Sequence, residues 1–162
     1  MGLSGVMAFA LISFIALSSA VVMILDLTGS IITIYKAEDI KHQVMIDQED
    51  SKITILLVSV SSNILDVTLV NSGSLPLWDF QQFGVVVKYY ANVNGNETLS
   101  VSNYNYSASP TAYQWTSENN IINPGSLDNI EIVLPYPPYK GTKATIVIST
   151  NYGSLAVWRG TL

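Results

Sequence analysis

The first twenty-five residues carry no charged side chain, and that one property restricts the fold more than anything downstream. From Leu3 the chain reads Leu-Ser-Gly-Val-Met-Ala-Phe-Ala-Leu-Ile-Ser-Phe-Ile-Ala-Leu-Ser-Ser-Ala-Val-Val-Met-Ile-Leu25, and the first charge is Asp26. A helix rises about 1.5 Å per residue, so roughly 20 apolar residues cross the hydrocarbon core. In lipid every backbone N–H and C=O must bond within the segment, which selects a helix over an open strand. A cleaved signal peptide has a basic start, about 7–15 apolar residues and a small-x-small site. Ser18-Ser19-Ala20 imitates the site, but no Lys or Arg precedes the run, and the run is too long. Residues 1–25 are therefore expected to be a permanent transmembrane helix.

With 162 residues, the chain has room beyond this helix for one domain of ordinary size. Only 12% of residues are charged, against about 25% in typical soluble domains, so the polar surface is built from Ser, Thr, Asn and Tyr. Six acids (Asp26, Glu38, Asp39, Asp47, Glu49 and Asp50) face only Lys36 and Lys41 in residues 26–50, whereas residues 51–162 are nearly balanced. No basic patch exists, which excludes nucleic acid as a partner. Cysteine is absent, which excludes disulfides, thiolate metal sites and cysteine nucleophiles. Asn96-Glu97-Thr98 and Asn105-Tyr106-Ser107 are N-glycosylation sequons in polar, turn-rich surroundings. Asn96 and Asn105 are thus candidate acceptors, and they point to an exterior address.

Leu27, Ile31, Ile34 and Tyr35 recur at helical spacing, with Val44 further on. This predicts that the helix continues as a stalk towards Gln48, followed by an acidic linker at Asp47–Ser51, so that residues 26–51 join the membrane to the domain. From Lys52 the period changes to 2. Strands are expected at 52–60, 64–70, 83–90, 98–106, 111–116, 129–134, 142–150 and 154–159. Asn71-Ser72-Gly73-Ser74, Asn123-Pro124-Gly125 and Asn151-Tyr152-Gly153 read as turns, with Asn94-Gly95 at a hairpin tip. Pro76 and the run Pro135–Tyr139 cannot sit inside a ladder. Short strands at such spacings predict a mainly β domain, an antiparallel β-sandwich over residues 52–162.

The residues that carry chemistry are sparse. His42 is the only histidine and falls in the stalk, which excludes a Ser-His-Asp arrangement in the β domain and a histidine-based zinc site. No phosphate-binding glycine motif occurs, and Asp66, Asp79, Asp128 and Glu131 show no meaningful spacing. The chain is read as a non-enzyme without cofactor or metal. Its aromatic residues offer more. Of the three tryptophans, Trp78 and Trp115 are expected to plug the core, and Trp158, on a strand face with Ser154 and Ala156, is expected to be exposed or partly covered. The tyrosine-rich stretches Tyr104–Tyr113 and Pro135–Tyr139 are expected to form an interaction surface, since aromatics give a large contact area at low entropic cost.

The layout of membrane helix, stalk and single β-sandwich resembles the archaeal archaellum accessory proteins F and G. The residues that carry the resemblance are Val67-Thr-Leu-Val-Asn-Ser-Gly-Ser74, Asp79-Phe80, Val85-Val-Val-Lys-Tyr-Tyr90, Ile122-Asn-Pro-Gly-Ser126 and the hairpin from Val147 to Val157. The resemblance implies an immunoglobulin-like sandwich related to the outer domain of archaellins, sitting outside the cell membrane and below the surface layer. The implied role is a stator that ties the motor to the surface-layer protein or to another accessory protein. The competing class is a filament subunit of archaellin or pilin type, whose helix packs in a filament core. Those chains carry a basic residue and a Gly ahead of the helix, and here Gly2 has no Lys or Arg before it.

The charge rule for orientation gives no support, because Lys36 and Lys41 lie on the domain side. The domain is nevertheless expected outside, given its sequons and tyrosine-rich loops. Dimerisation is expected to double a load-bearing contact. Ser4, Gly5, Ala8 and Ala16 permit close helix approach in lipid. Val86, Lys88 and Tyr90 are the candidate self-association residues, on the expectation that the strand carrying them lies at a sheet edge.

Overall fold

The structure is a computed structural model that describes residues 2–162; Met1, the first residue of the expected span, lies outside the described residues. Helix α1 runs over Leu3–Asp50. It is the one helix among the described residues long and apolar enough to cross a membrane. Its hydroxyls do not break it. Ser18 Oγ donates to the Phe14 carbonyl at 2.8 Å, Ser19 Oγ to Ile15 at 2.9 Å and Thr28 Oγ1 to Ile24 at 2.8 Å. Bonding back to the preceding turn satisfies each hydroxyl within the helix, as an apolar solvent requires.

Eight strands follow: β1 (Ile53–Ser61), β2 (Ile64–Asn71), β3 (Gly84–Val93), β4 (Asn96–Tyr106), β5 (Gln114–Ser117), β6 (Leu127–Val133), β7 (Lys143–Ser149) and β8 (Leu155–Thr161). They form two layers, β1-β2-β6-β5 and β4-β3-β7-β8, with every pairing antiparallel except one. The exception joins the layers: the end of β4 (Asn105, Tyr106) pairs in parallel with Gln114 and Trp115 of β5. The result is an immunoglobulin-like β-sandwich, as the period-2 pattern predicts. Leu65, Val67 and Leu69 of β2 meet Val85, Val87 and Tyr89 of β3, Ile130 and Ile132 of β6 and Ile146 and Ile148 of β7 in one core. Trp115 anchors its aromatic end, with rings of Tyr106, Phe80 and Phe83 at 5.1, 5.9 and 6.1 Å.

Two expectations change where α1 ends and the strands begin. The acidic stretch Asp47–Ser51 is not a linker: α1 continues to Asp50, and the compact β unit begins at Val44. Backbone bonds explain why. The Asp50 carbonyl accepts from Ser74 N (2.7 Å) and Leu75 N (2.9 Å), and the Lys52 carbonyl from Ser72 N (2.8 Å). Ser51 is fully buried, its hydroxyl 3.2 Å from that of Thr150. Helix-end carbonyls need such partners, and the 72–75 turn supplies them. The second change concerns Gly73, expected in a turn that tolerates positive φ. Its φ is not positive; a Cβ there would overlap the Asp50 carbonyl and stand 2.7 Å from Lys52 N. Close approach, not dihedral freedom, requires the glycine. At the β3–β4 hairpin the turn chemistry is as expected, with Asn94 at φ 54° and Gly95 at φ 86°.

Candidate functional site

The outward side chains of β4-β3-β7-β8 are held in rows by the strand register. Asn103, Val86, Val147 and Val157 lie side by side across the four strands; the next row is Val101, Lys88, Thr145 and Arg159. Leu99 opposes Tyr90, and Leu155 opposes Ser149. Leu99, Val101, Val157 and Leu155 are all about half exposed or more, with Leu155 at 65%. Lys88, Arg159 and Lys143 provide cations on this face and Glu97 an anion, with Asn103 and Thr145 among its apolar side chains. Apolar side chains clustered on an open sheet face mark an interaction surface more strongly than the same residues scattered singly.

The candidate self-association residues Val86, Lys88 and Tyr90 all lie on this face, but the edge expected for them is absent. β3 is hydrogen-bonded to β4 on one side and β7 on the other, so its backbone has no free side at Val86 or Lys88. The edges belong to β1 and β8. Any contact these three residues make with another copy is therefore through side chains on the sheet face.

A residue from each tyrosine-rich loop, Tyr113 and Tyr136, lies near Tyr89 of β3 at a second location. Tyr89 Oη donates to the Tyr136 carbonyl at 2.9 Å, and the rings of Tyr104 and Tyr113 stand 6.1 Å apart. Burial raises the phenol pKa of Tyr89 and, more strongly, that of Tyr104, with the neighbouring tyrosines adding to it; the hydrogen bond to Tyr136 offsets part of the rise at Tyr89. Tyr104 Oη and Trp115 Nε1 are buried without a partner among the described residues. Tyr113 holds φ 68°, a conformation uncommon for a bulky residue, while Tyr113, Tyr136 and Tyr139 remain exposed.

The remaining candidates separate. His42 lies exposed on α1. Asp66 is brought directly opposite Glu131 on the outer face of β2 and β6. Asp79 accepts from Gln82 Nε2 at 2.7 Å. Asp128 is buried and accepts from Ser117 Oγ (2.6 Å) and from Asn119 Nδ2 (2.7 Å), a structural carboxylate. Among the described residues no group of three His, Cys, Asp or Glu side chains is placed to hold a metal. Of the tryptophans, Trp115 is in the core, Trp158 is half-buried with its ring over Gly160, and Trp78 is exposed, contrary to expectation. Leu99, Val101, Val147, Leu155 and Val157 join this face without having been candidates from the sequence. Their alternation was visible, but alternation alone does not say which side faces the core.

The comparisons with known proteins agree with this architecture. No curated protein matches the chain. The periplasmic stator protein FlaG of the Sulfolobus acidocaldarius archaellum is 27% identical, with a TM-score of 0.51 over 67% of this chain and 98% of that one. A chain of the archaellum periplasmic stator complex FlaF and FlaG from the same organism shows 24% identity and a TM-score of 0.55, over 67% and 88%. The archaeal flagellum of Methanospirillum hungatei strain JF1 shares the fold along 100% of this chain and 93% of its own, at 20% identity and a TM-score of 0.60. The profile described as conserved flagellar protein F, immunoglobulin-like domain, matches residues 49–160. The chain belongs to that family, and with it to the accessory proteins of the archaellum.

Proposed function

We propose that this structural component of the archaellum is a membrane-anchored stator, with residues 1–25 in the membrane, 26–51 as its stalk and 52–162 as a sandwich outside the cell membrane. In this reading the chain crosses once, and the sandwich lies below the surface layer, where it grips the surface-layer protein or a partner stator protein. The observation that carries the proposal is the apolar outer face of β4-β3-β7-β8, left uncovered on a domain of the flagellar protein F family. A second copy is the simplest partner for that face. Val86 lies inside it, flanked by Val147 on β7, and two linked copies would present two lattice-binding surfaces. The stator complex of two accessory proteins from Sulfolobus acidocaldarius supports a hetero-partner in the same role.

The test uses the full chain in detergent. Val86→Lys should give a folded monomer by light scattering that co-sediments poorly with isolated surface-layer sheets. A folded monomer that binds the sheets as well as the parent refutes the avidity reading. One observation favours the second class, a filament subunit whose helix packs in a filament core: the fold shared with the Methanospirillum flagellum extends through the helix. The mass of the native N-terminus decides between them. A start at Met1 or Gly2 supports the anchor, and a start at Leu3 supports the filament subunit.

A further inference from the structure

The two sequons look equivalent as text and are not equivalent in the fold. Asn96 closes the two-residue turn Asn94-Gly95 opposite Val93. Asn96, Glu97 and Thr98 are all exposed. There β4 is paired with β3 alone, so one side of the backbone is open. No hydrogen bond engages the side chain of Asn96 or Thr98 among the described residues, so both the amide and the hydroxyl that define a sequon are available.

Asn105 is locked by comparison. Its backbone N donates to Tyr113 O at 3.2 Å, and Ser107 N donates to Trp115 O at 2.9 Å. The Ser107 hydroxyl is already used, donating to Ser109 O at 3.2 Å. Between them Tyr106 packs its ring on Trp115 at 5.1 Å, so opening this sequon would disrupt the aromatic end of the core. The pleat adds a second distinction. Asn105 shares the parity of Asn103 and Val101, so a glycan on it would stand over the apolar face beside Val86, whereas Asn96 has the opposite parity and projects from the hairpin tip.

We propose that Asn96 is a glycan attachment site and that Asn105 stays bare, leaving the self-association face uncovered; this rests on the exterior placement proposed above. The donor is a lipid-phosphate-linked oligosaccharide. Asn96 Nδ2 attacks the anomeric carbon of its first sugar, an N-glycosidic bond forms, the sugar–phosphate C–O bond breaks, and the lipid phosphate leaves with the electron pair. The amide proton passes to a base of the transferase.

The test is glycopeptide mass spectrometry on the full chain extracted from native membranes. Trypsin leaves both sequons on one peptide, because no Lys or Arg lies between Lys88 and Lys140, whereas cleavage after Glu97 and Glu118 separates Asn96 from Asn105. The expected result is a glycan mass on the Asn96 peptide that Asn96→Gln removes and Asn105→Gln leaves. A bare Asn96 peptide, or equal occupancy at Asn105, overturns the proposal. A second version carrying Asn-Gly-Thr after Leu162 separates the two readings. A modified tag with bare Asn96 rejects the site and keeps the exterior placement. A bare tag on a domain that resists protease in intact cells rejects both.

Discussion

At Tyr104 the packing and the polar chemistry conflict. Its ring fills the core, 1% exposed, while its hydroxyl finds no partner among the described residues. A buried, unpartnered hydroxyl costs on the order of 1–3 kcal/mol. Tyr104→Phe keeps the ring and deletes that group, so urea denaturation should show unchanged or higher stability, by up to about 1 kcal/mol. The same residue fixes the alkaline behaviour. Tyr89 and Tyr104 both have raised folded-state pKa values; the unfolded phenols ionise near pH 10. Below that pH both states hold the proton and these two residues add no pH dependence to stability. Above it the unfolded chain releases protons first, so stability falls as pH rises. Tyr104→Phe should flatten that fall. A fall of the same steepness in the variant would show that other groups cause it. On the outer face of the first sheet, Asp66 and Glu131 are directly opposed like charges. Glu131→Gln should raise stability by roughly 0.2–1 kcal/mol at low salt, and by less at high salt.

The segment that ends in the turn after β2 shows which element-level facts a sequence reveals. Alternation of Leu65, Val67 and Leu69 marks the strand, and its inner face follows from the pattern alone. The reason for Asn71-Ser-Gly does not, because the partners that decide it, Ile122, Gly125 and the end of α1, are distant in sequence. Asn71 is fully buried; its amide donates to Leu75 O (2.7 Å) and to Ile122 O (2.9 Å), and its side-chain oxygen accepts from Gly73 N (3.0 Å). Gly125 N, from the Asn-Pro-Gly turn, donates to Asn71 O at 2.7 Å. The two motifs of the family resemblance thus interlock at the root of α1. Gly73→Val should cost several kcal/mol, since a Cβ there meets backbone that cannot rotate away. Asn71→Ala should cost about 1–3 kcal/mol by deleting three side-chain hydrogen bonds at a fully buried position. Thermal melts of the full chain in detergent check both, and an unchanged melting point for Gly73→Val would disprove the close approach. The position of β3 was illegible for a similar reason. Its two-sided Val and Tyr content suits an edge against another chain or a central strand with one open face, and only the pairing with β7, more than fifty residues away, decides. Val86, Lys88 and Tyr90 therefore lie on an open sheet face, and the edge expected for them is not there.

At the scale of the whole molecule, α1 is about 72 Å long at 1.5 Å per residue, while the hydrocarbon core takes about 30 Å. The charge-free run ends at Leu25, and α1 continues for the rest of its length with six acids and two lysines. Charges of that density favour water over hydrocarbon for the later turns, and the proposed anchor places them on the side of the sandwich. Which side that is does not follow from the lysines, because the positive-inside rule opposes the exterior reading. The absence of cysteine makes the question open to a direct chemical answer. Ser109 is exposed in the loop after β4, and Leu17 is exposed at the middle of the apolar run. With Ser109→Cys as the sole thiol, a small membrane-impermeant maleimide added to intact cells should label the chain without lysis. With Leu17→Cys the same reagent should fail until detergent is added, because the thiolate it needs does not form in hydrocarbon. If Ser109→Cys requires lysis while a cytoplasmic control thiol behaves alike, the sandwich faces inward. The charge rule would then stand, and no lattice outside the membrane could be its partner.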